Sequence, residues 1–435
     1  MALDKWLDAR WPGSRTLMWI AGIAIVVKVL VLFVLLPWLQ AASPGNYEAD
    51  KFQDWYDLLA RNIAEGNGYR FFPDTTATML RTPAWPLVLA GLFSLFGYGI
   101  ASVKVFNLLC SIGTAALTFA LCERICNRRP LALLAALIAF FHPAIVIADS
   151  RGGVESFFML FLMLFAWLAY RALNDGRYSS YALAGVAMGV LLLTKSTAVL
   201  FAPCIFLYLV VRDWSVAGVR RAVLNMATLT VVASLMLAPW IVRNYMLSGE
   251  FVPTMSVGGM SAYSGYYMSS HRDSGREQYQ LDIEASNEMG EVADAMGLPH
   301  RPGYYTQLYT PADELLFYRQ LGKIVRDKYR NEPGLFRRAL VDNAVGFWVR
   351  GRTLKATTMN ALLVLPFLAL TIVGAWMGSR RRLPVMPIVL MIGAFYLVHI
   401  PILGQARYHV PLIPIMAVLL VLVLLPWVRN EPESG

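Results

Sequence analysis

The chain has 435 residues, of which 57% are hydrophobic and 15% charged, and 38 lysines and arginines against 28 acids give a formal net charge of +10. With a mean hydropathy of +0.52, this composition excludes a water-soluble globule and predicts an all-α polytopic membrane protein. The positive charge requires no nucleic-acid partner, because short cytoplasmic loops that orient membrane spans carry such an excess.

The first apolar run extends from Thr16 to Gln40, which exceeds the roughly 20 helical residues needed to cross a bilayer. It is too long for a cleaved signal and lacks an Ala-x-Ala site before a polar chain, so we expect a retained anchor. Further apolar runs follow at about residues 102–121, 131–148, 156–170, 181–193, 198–211, 223–242, 357–377, 386–401 and 410–427. The pattern predicts about ten transmembrane helices.

An eleventh span at Pro83 to Phe96 is the alternative. If this segment does not cross, the basic clusters all fall on one side of the membrane, whereas a crossing would divide them between both sides. We therefore expect a re-entrant or interfacial helix here, with both termini in the cytoplasm. The clusters are Arg10 with Arg15, Arg124 with Arg128 and Arg129, Arg177, Arg212 with Arg220 and Arg221, Arg380 to Arg382, and Arg429.

This topology divides the chain into an N-terminal transmembrane module at residues 1–244 with a first outer loop at 41–104, an outer segment at 245–355, and C-terminal transmembrane helices at 356–435.

Ser256 to Gly303 is rich in Gly, Ser, Tyr and Met, which predicts a flexible loop. Pro311 to Tyr329 predicts an amphipathic helix capped by Thr310, and a second helix follows Glu332. The outer segment is expected to select an acceptor, and a structural lid fits the pattern equally well.

The first outer loop carries a group of acids, Glu48, Asp50, Asp54, Asp57 and Glu65. A helix beginning near Lys51 would have Asp50 at its N-cap and Asp54 one turn later on the same face. A solvated acidic helix beside a membrane is the plainer alternative. Oxygens of Glu48 and Asp50 are suitable for a divalent metal, although their spacing does not demand one, and no cofactor is otherwise indicated.

Six segments in a fixed order make the chain similar to a known class of proteins. They are the acidic first loop leading into Ala60-Arg-Asn62 and Gly66-Asn-Gly-Tyr69, Arg81-Thr-Pro-Ala-Trp-Pro86, His142-Pro143 followed by Glu155, Gly185 to Lys195, Pro239-Trp-x-x-Arg-Asn244 with Gly258-Gly259, and Ala406-Arg-Tyr-His-Val-Pro411. The chain resembles the GT-C fold glycosyltransferases of the family 39 type, which use polyprenyl phosphate sugars and include protein O-mannosyltransferases and the lipid A aminoarabinose transferase.

The resemblance implies a GT-C fold and a hexosyl- or pentosyltransferase of the inverting type. The sugar would pass from a polyprenyl phosphate donor to a glycolipid, glycan or protein acceptor of the cell envelope. The enzyme would be a multi-pass protein of the inner, or plasma, membrane, and its active site would face the periplasm or exterior.

Transfer of a sugar from a lipid phosphate requires a base for the incoming hydroxyl and cations for the departing phosphate. We expect Asp50 to be the base, with Asp54 as the alternative. The expected donor-phosphate residues are Arg243, Arg407, Lys195 and Tyr408, and those of the substrate cavity are Glu48, Arg81, Glu155 and Asn244.

Two positions depart from the family pattern. Phe52 stands four residues before Tyr56, where relatives commonly have the key aspartate, and Lys195 stands where an arginine is frequent. A lysine binds phosphate as a point charge, without the planar fork of an arginine.

Two other classes of protein remain open from the sequence. A flippase or transporter for lipid-linked sugars would also place acids and arginines near the membrane surface, and a non-catalytic GT-C-like scaffold would keep the fold without the chemistry. Against a transporter, the polar residues gather at the outer ends of spans and not at mid-membrane. For each cation taken alone, an interfacial anchor is the plain alternative.

Overall fold

The structure is a computed structural model that describes residues 14–42, 52–301, 304–308 and 310–428. The N-terminal helices are α1 (Ser14–Leu30), continued by a π-helical turn (Val31–Leu35) into α2 (Leu36–Ala42), α3 (Tyr56–Ala64), α4 (Ala84–Phe96), α5 (Ile100–Cys126), α6 (Arg129–Phe141), α7 (Pro143–Asp149), α8 (Glu155–Asp175), α9 (Tyr178–Thr194), a 3₁₀ turn (Ser196–Leu200), α10 (Phe201–Arg212) and α11 (Val216–Ser248).

The remaining elements form the outer segment and the C-terminal helices. They are α12 (Gly258–Ser270), a 3₁₀ turn (Arg272–Ser274), α13 (Gln278–Ala295), strands β1 (His300–Arg301) and β2 (Tyr304–Leu308), α14 (Pro311–Asn331), α15 (Pro333–Val349), α16 (Leu354–Arg380), α17 (Met386–His399), 3₁₀ turns (Ala406–Tyr408 and Val410–Leu412), α18 (Ile413–Leu420) and a final 3₁₀ segment (Val421–Trp427). The two strands pair antiparallel.

Among the described residues, six helical stretches are long and apolar enough to cross a membrane, or seven if the pair α6 and α7, bent by 52°, forms one span. The six are Arg15–Ala42, Ile100–Cys126, Glu155–Asp175, Val216–Ser248, Leu354–Arg380 and Ala406–Trp427. Shorter apolar helices are Ala84–Phe96, Tyr178–Thr194, Ser196–Arg212 and Met386–His399. Each predicted apolar run therefore lies in helical structure, and the number of spans stays a prediction.

The basic ends of several helices lie together. The hydroxyl of Tyr170 donates to the carbonyl of Arg124 at 3.3 Å, and Nη1 of Arg212 donates to the carbonyl of Leu173 at 3.2 Å. These bonds join the C-terminal ends of α5, α8 and α10 at one end of the bundle. Helix α9 starts beside this end, directly after Arg177, and carries the chain to Lys195 at the other end of the bundle.

Two glycines allow α9 to pack closely on α11. A Cβ atom at Gly185 would collide with the carbonyl oxygen of Leu229, and one at Gly189 would collide with the side chain of Met236. The spacing of four residues places both glycines on one helix face. Small residues at this spacing let membrane helices approach each other without a large hydrophobic driving force.

The predicted flexible loop at Ser256 to Gly303 is wrong over its described residues, because α12 and α13 occupy most of it. Gly and Ser indicated a loop, but Tyr263, Tyr267 and Met268 of α12 are buried in the apolar core of the outer segment. Gly259 instead serves a close contact, since a Cβ atom there would collide with the carbonyl oxygen of Tyr318 in α14.

The two later helices of the outer segment are confirmed. Helix α14 begins at Pro311, and the Thr310 hydroxyl accepts from the amide of Asp313 as its N-cap. Helix α15 follows directly after Glu332.

The first outer loop differs from the prediction. Helix α3 begins at Tyr56 and not near Lys51, so the expected one-turn relationship between Asp50 and Asp54 on a helix is wrong. Asp54 and Trp55 have φ angles of 56° and 60°, in the left-handed region, which prevents a right-handed helix from extending back through them.

The loop that precedes Arg407 is fixed to α15. The side-chain amide of Asn343 donates to the carbonyl of Ile400 at 3.1 Å, and its oxygen accepts from the amide of Gly404 at 3.1 Å. The amide of Ala406 donates to the carbonyl of Arg350 at 2.9 Å. A Cβ atom at Gly265 of α12 would collide with the carbonyl oxygen of Ile402, so α12 also packs tightly on this loop.

Topology is testable with single cysteines at two exposed serines, Ser179 and Ser274. In a background lacking the native cysteines, we expect an impermeant thiol reagent to label Ser274→Cys in intact cells and Ser179→Cys only after permeabilisation. Labelling of both in intact cells would contradict the arrangement of the basic ends in the cytoplasm.

Candidate functional site

The Asp54 carboxylate lies among three cations from distant parts of the chain. Nη1 of Arg407 is 3.3 Å from both carboxylate oxygens, and Nη2 of Arg81 is 3.9 Å from Oδ1. The charge of Lys195 also acts on Asp54. The Asp54 side chain is 27% exposed, so the carboxylate is accessible while its cations remain close.

Asp54 is held by packing on both sides of a strained backbone. Before it, Phe52 forms an isolated parallel bridge with Gly152 and packs against the rings of Phe93 and Tyr98. After it, Tyr56 is buried. Left-handed backbone at a residue other than glycine costs about 1–3 kcal/mol and persists only where the surroundings determine it.

The cations more than compensate for the partial burial of Asp54. Burial raises the pKa of this carboxyl, but Arg407, Arg81 and Lys195 outweigh it and lower the pKa to about 2. Asp54 is therefore ionised at all physiological pH values. A carboxylate stabilised in this way is a weak base until one of its cations is drawn elsewhere.

Arg81 and Lys195 are positioned through a shared set of hydrogen bonds. The Tyr69 hydroxyl donates to the carbonyl oxygens of Arg81 at 3.0 Å and Thr82 at 3.1 Å. The Thr82 hydroxyl donates to the carbonyl of Thr194 at 2.7 Å, directly before Lys195. The end of α9 and the loop that enters α4 are thus connected beside Asp54.

Aromatic rings lie beside the cations. Lys195 Nζ is 5.1 Å from the ring centre of Tyr408, and the Arg407 guanidinium is 5.2 Å from the same ring. The Arg81 guanidinium lies 5.5 Å from the ring of Tyr56. Burial raises the pKa of Tyr56, so its phenol is a neutral hydrogen-bond donor in this site.

Glu155 is the second acid at the cluster. It begins α8, is 7% exposed, and interacts electrostatically with Lys195 and Arg407. The predicted residues Asp54, Arg81, Glu155, Lys195, Arg407 and Tyr408 therefore share one site, although they come from five separate parts of the sequence.

Arg243 and Asn244 lie at a neighbouring but different set of contacts. The Arg243 guanidinium stacks 4.5 Å from the Trp240 ring and 5.0 Å from the Tyr69 ring, and its Nη1 donates to the carbonyl of Thr78 at 2.9 Å. Asn244 accepts from Arg243 at 3.0 Å and donates to the carbonyl of Val252 at 3.0 Å. Arg243 thus contacts the loop that carries Arg81.

Glu48 and Asp50 lie outside the described residues, so the expected base and metal ligands at these positions stay predictions. Within the ranges that the structure describes, no group of three or more His, Cys, Asp or Glu side chains is arranged to hold a metal ion.

Two buried or partly buried acids of the outer segment were not predicted as site residues. Glu314 of α14 is 3% exposed and accepts from the Thr78 hydroxyl at 2.6 Å, the Met79 amide at 3.1 Å and the Ser256 hydroxyl. Asp282 of α13 interacts electrostatically with Arg407. Asp282 was not predicted because it lay in the predicted loop. Glu314 was not predicted because an acid in the first turn of an amphipathic helix is usually a solvated surface residue.

Comparisons with known proteins give a family match over part of the chain. Residues 80–242, well under half of the chain, match the family model described as dolichyl-phosphate-mannose-protein mannosyltransferase. The matched range contains Arg81, Glu155 and Lys195. A search of curated proteins gave no significant match.

Among solved structures, the chain is similar to the apo oligosaccharyltransferase of Archaeoglobus fulgidus, with a TM-score of 0.55, 14% identity, and coverage of 95% of this chain and 52% of that chain. It is also similar to apo ArnT from Cupriavidus metallidurans, with a TM-score of 0.41, 15% identity, and coverage of 93% and 78%. The chain thus spans about half the length of the oligosaccharyltransferase.

The resemblance to GT-C fold proteins is therefore confirmed. The chain is a predominantly helical, multi-pass membrane protein with the GT-C fold.

Asp282 gives a pH-dependent test of the site. Burial raises the pKa of this carboxyl to about 6, although Arg407 and Arg352 lower it. Because the folded pKa exceeds the unfolded one, the folded state loses stability as the pH rises from 4 to 6. Asp282→Asn should therefore raise the melting temperature at pH 7, and this gain should shrink steadily toward pH 4. A pH-independent difference from the wild type would contradict this environment.

Proposed function

We propose that the protein is a membrane glycosyltransferase that moves a hexosyl or pentosyl group from a polyprenyl phosphate donor to an envelope glycolipid, glycan or protein. The observation that carries this proposal is the placement of one accessible carboxylate, Asp54, among Arg81, Lys195 and Arg407 at one end of the helix bundle. The family match over residues 80–242 supports the same reaction class.

The chemistry is a single displacement with inversion. The acceptor hydroxyl oxygen bonds to the anomeric carbon as the bond from that carbon to the phosphate oxygen breaks. The hydroxyl proton goes to a carboxylate, for which Asp54 is in position, and the bonding electron pair leaves with the lipid phosphate. Arg407 and Lys195 stabilise the additional negative charge on the phosphate, where Arg407 can form a bidentate contact.

Donor binding also activates the base. The phosphate competes with Asp54 for Arg407, whose side chain is 42% exposed and therefore accessible to a ligand. When Arg407 turns to the phosphate, Asp54 loses its closest cation and its proton affinity rises. Asp54 is therefore paired with Arg407 before the donor binds and becomes available as the base after it binds.

The site is expected to face the exterior or periplasm from the inner, or plasma, membrane, because the basic clusters at the other end orient that end toward the cytoplasm. Helix α13 brings Asp282 toward Arg407, which favours contact between the outer segment and the acceptor. Residues 245–355 are the proposed acceptor-selecting part.

The base is tested by Asp54→Asn in purified protein with radiolabelled polyprenyl phosphate sugar. Asparagine tolerates left-handed backbone, so the loop should persist, while loss of a general base should lower transfer about 10²- to 10⁴-fold. Asp57→Asn, three residues along on α3, is the matched control and should keep wild-type transfer. Asp50→Asn belongs in the same series.

The outcomes of this series separate the candidates. An active Asp54→Asn enzyme together with a folded, inactive Asp50→Asn enzyme would move the base to Asp50. Activity in both would end the catalytic assignment of this loop, and label that only changes leaflet would favour a flippase.

The phosphate-binding residues are tested by Arg407→Ala and Arg243→Ala. Both should raise the apparent KM for the donor and lower kcat, and lysine should rescue each only in part because the bidentate geometry is lost. Arg243→Ala should also lower the melting temperature, since its bond to the Thr78 carbonyl is lost. Unchanged donor kinetics in the alanine variant of either residue would remove that residue from the phosphate site.

A further inference from the structure

A fully buried ion pair lies inside the helix bundle, separate from the residues of the Asp54 site. Lys28 Nζ of α1 is 2.6 Å from Oδ2 of Asp149, the last residue of α7, and neither side chain is exposed. Ionisable side chains within membrane segments are costly and are usually retained for function. The site described above uses neither residue.

Both partners also bond to groups on neighbouring helices of the bundle. Besides Asp149, Lys28 Nζ donates to the Ser111 hydroxyl and to the Phe140 carbonyl, each at 2.6 Å. Oδ1 of Asp149 accepts from the Ser156 hydroxyl at 2.6 Å. The pair therefore joins α1, α5, α6, α7 and the first turn of α8.

The segment that follows Asp149 leads directly to the site. The side-chain amide of Asn107 donates to the carbonyls of Asp149 at 3.3 Å and Arg151 at 2.8 Å. Gly152 then forms the bridge with Phe52, two residues before Asp54. Ser156, which bonds Asp149, is adjacent to Glu155.

We propose that the Lys28–Asp149 pair is a positioning device that fixes residues 150–154, and through them Asp54 and Glu155, for the reaction. This role rests on the proposed function. A pair that served stability alone would be replaceable by apolar groups, because such replacements of buried ion pairs are often neutral or stabilising. A positioning pair would not be replaceable, because only its directional bonds set the place of Asp149 and Ser156.

The kinetic test compares single and double replacements. Lys28→Met and Asp149→Asn should each lower both the melting temperature and kcat, because one buried partner is left alone. The double variant Lys28→Met/Asp149→Leu should regain the melting temperature, yet its kcat should stay at least about tenfold below wild type with the donor KM changed less than about twofold. Wild-type kcat in the stable double variant would overturn the proposal.

Thr118→Val is the matched control. Thr118 is fully buried in α5, the helix that carries Ser111, and its hydroxyl donates only to the Thr114 carbonyl within that helix. This substitution removes a buried polar atom of the bundle without touching the ion pair and should leave kcat unchanged. A loss equal to that of the Lys28 variant would show general sensitivity to polar packing and overturn the specific role.

A cross-link gives a readout that needs no catalytic activity. In a background with alanine at the native cysteines, Phe52→Cys/Gly152→Cys should form a disulfide, since bridge partners lie about 5 Å apart and the Phe52 ring is removed. Adding Lys28→Met should slow its formation several-fold, whereas adding Thr118→Val should not. Equal rates would refute positioning even if the transferase activity is real, and slowing would support it even if that activity is absent.

Discussion

The charge balance at Asp54 is the constraint on which the rest of the site depends. One carboxylate faces three cations, and their attraction exceeds the cost of partial burial, as the lowered pKa of Asp54 records. The lowering from 3.8 to about 2 corresponds to roughly 2 kcal/mol in favour of the ionised form. This is of the same order as the backbone strain at Asp54 and Trp55, so charge and packing together maintain the loop.

Each member of this cluster is held by a network of its own. Phe52 and Gly152 support Asp54, and the bonds from Tyr69 and Thr82 hold Arg81 beside the end of α9. Glu314 ties α14 to Thr78 and Met79, just before Arg81. Each of these segments is thus held in place by its own contacts. This explains how Asp54 and Arg407, more than 350 positions apart in the sequence, lie within hydrogen-bond range.

Much of the fold follows from the sequence, because long apolar runs have few alternatives to helix in a membrane. The N-cap at Thr310 and the helix break at Glu332 were predictable from the local sequence. The resemblance to a family motif identified Arg81, Glu155, Lys195 and Arg407 as site residues. The predictions that failed concern features that depend on contacts between residues far apart in the sequence. The late start of α3 follows from the left-handed backbone of Asp54 and Trp55, next to the bridge between Phe52 and Gly152. Gly259 and Gly265 of α12 pack closely against α14 and the Ile402 loop. Neither Lys28 nor Asp149 was selected from the sequence, because their pairing becomes evident only in three dimensions.

The glycine contacts of the outer segment determine how the site can open. Gly265 of α12 lies against the carbonyl of Ile402, and Gly404 lies against that of Asn343, so the loop leading to Arg407 has no space on either side. A hinged swing of these helices would have to carry Arg407 along, which would separate it from Asp54. Opening of this site without loss of these backbone contacts therefore requires a sliding shear of packed helices in place of a hinge.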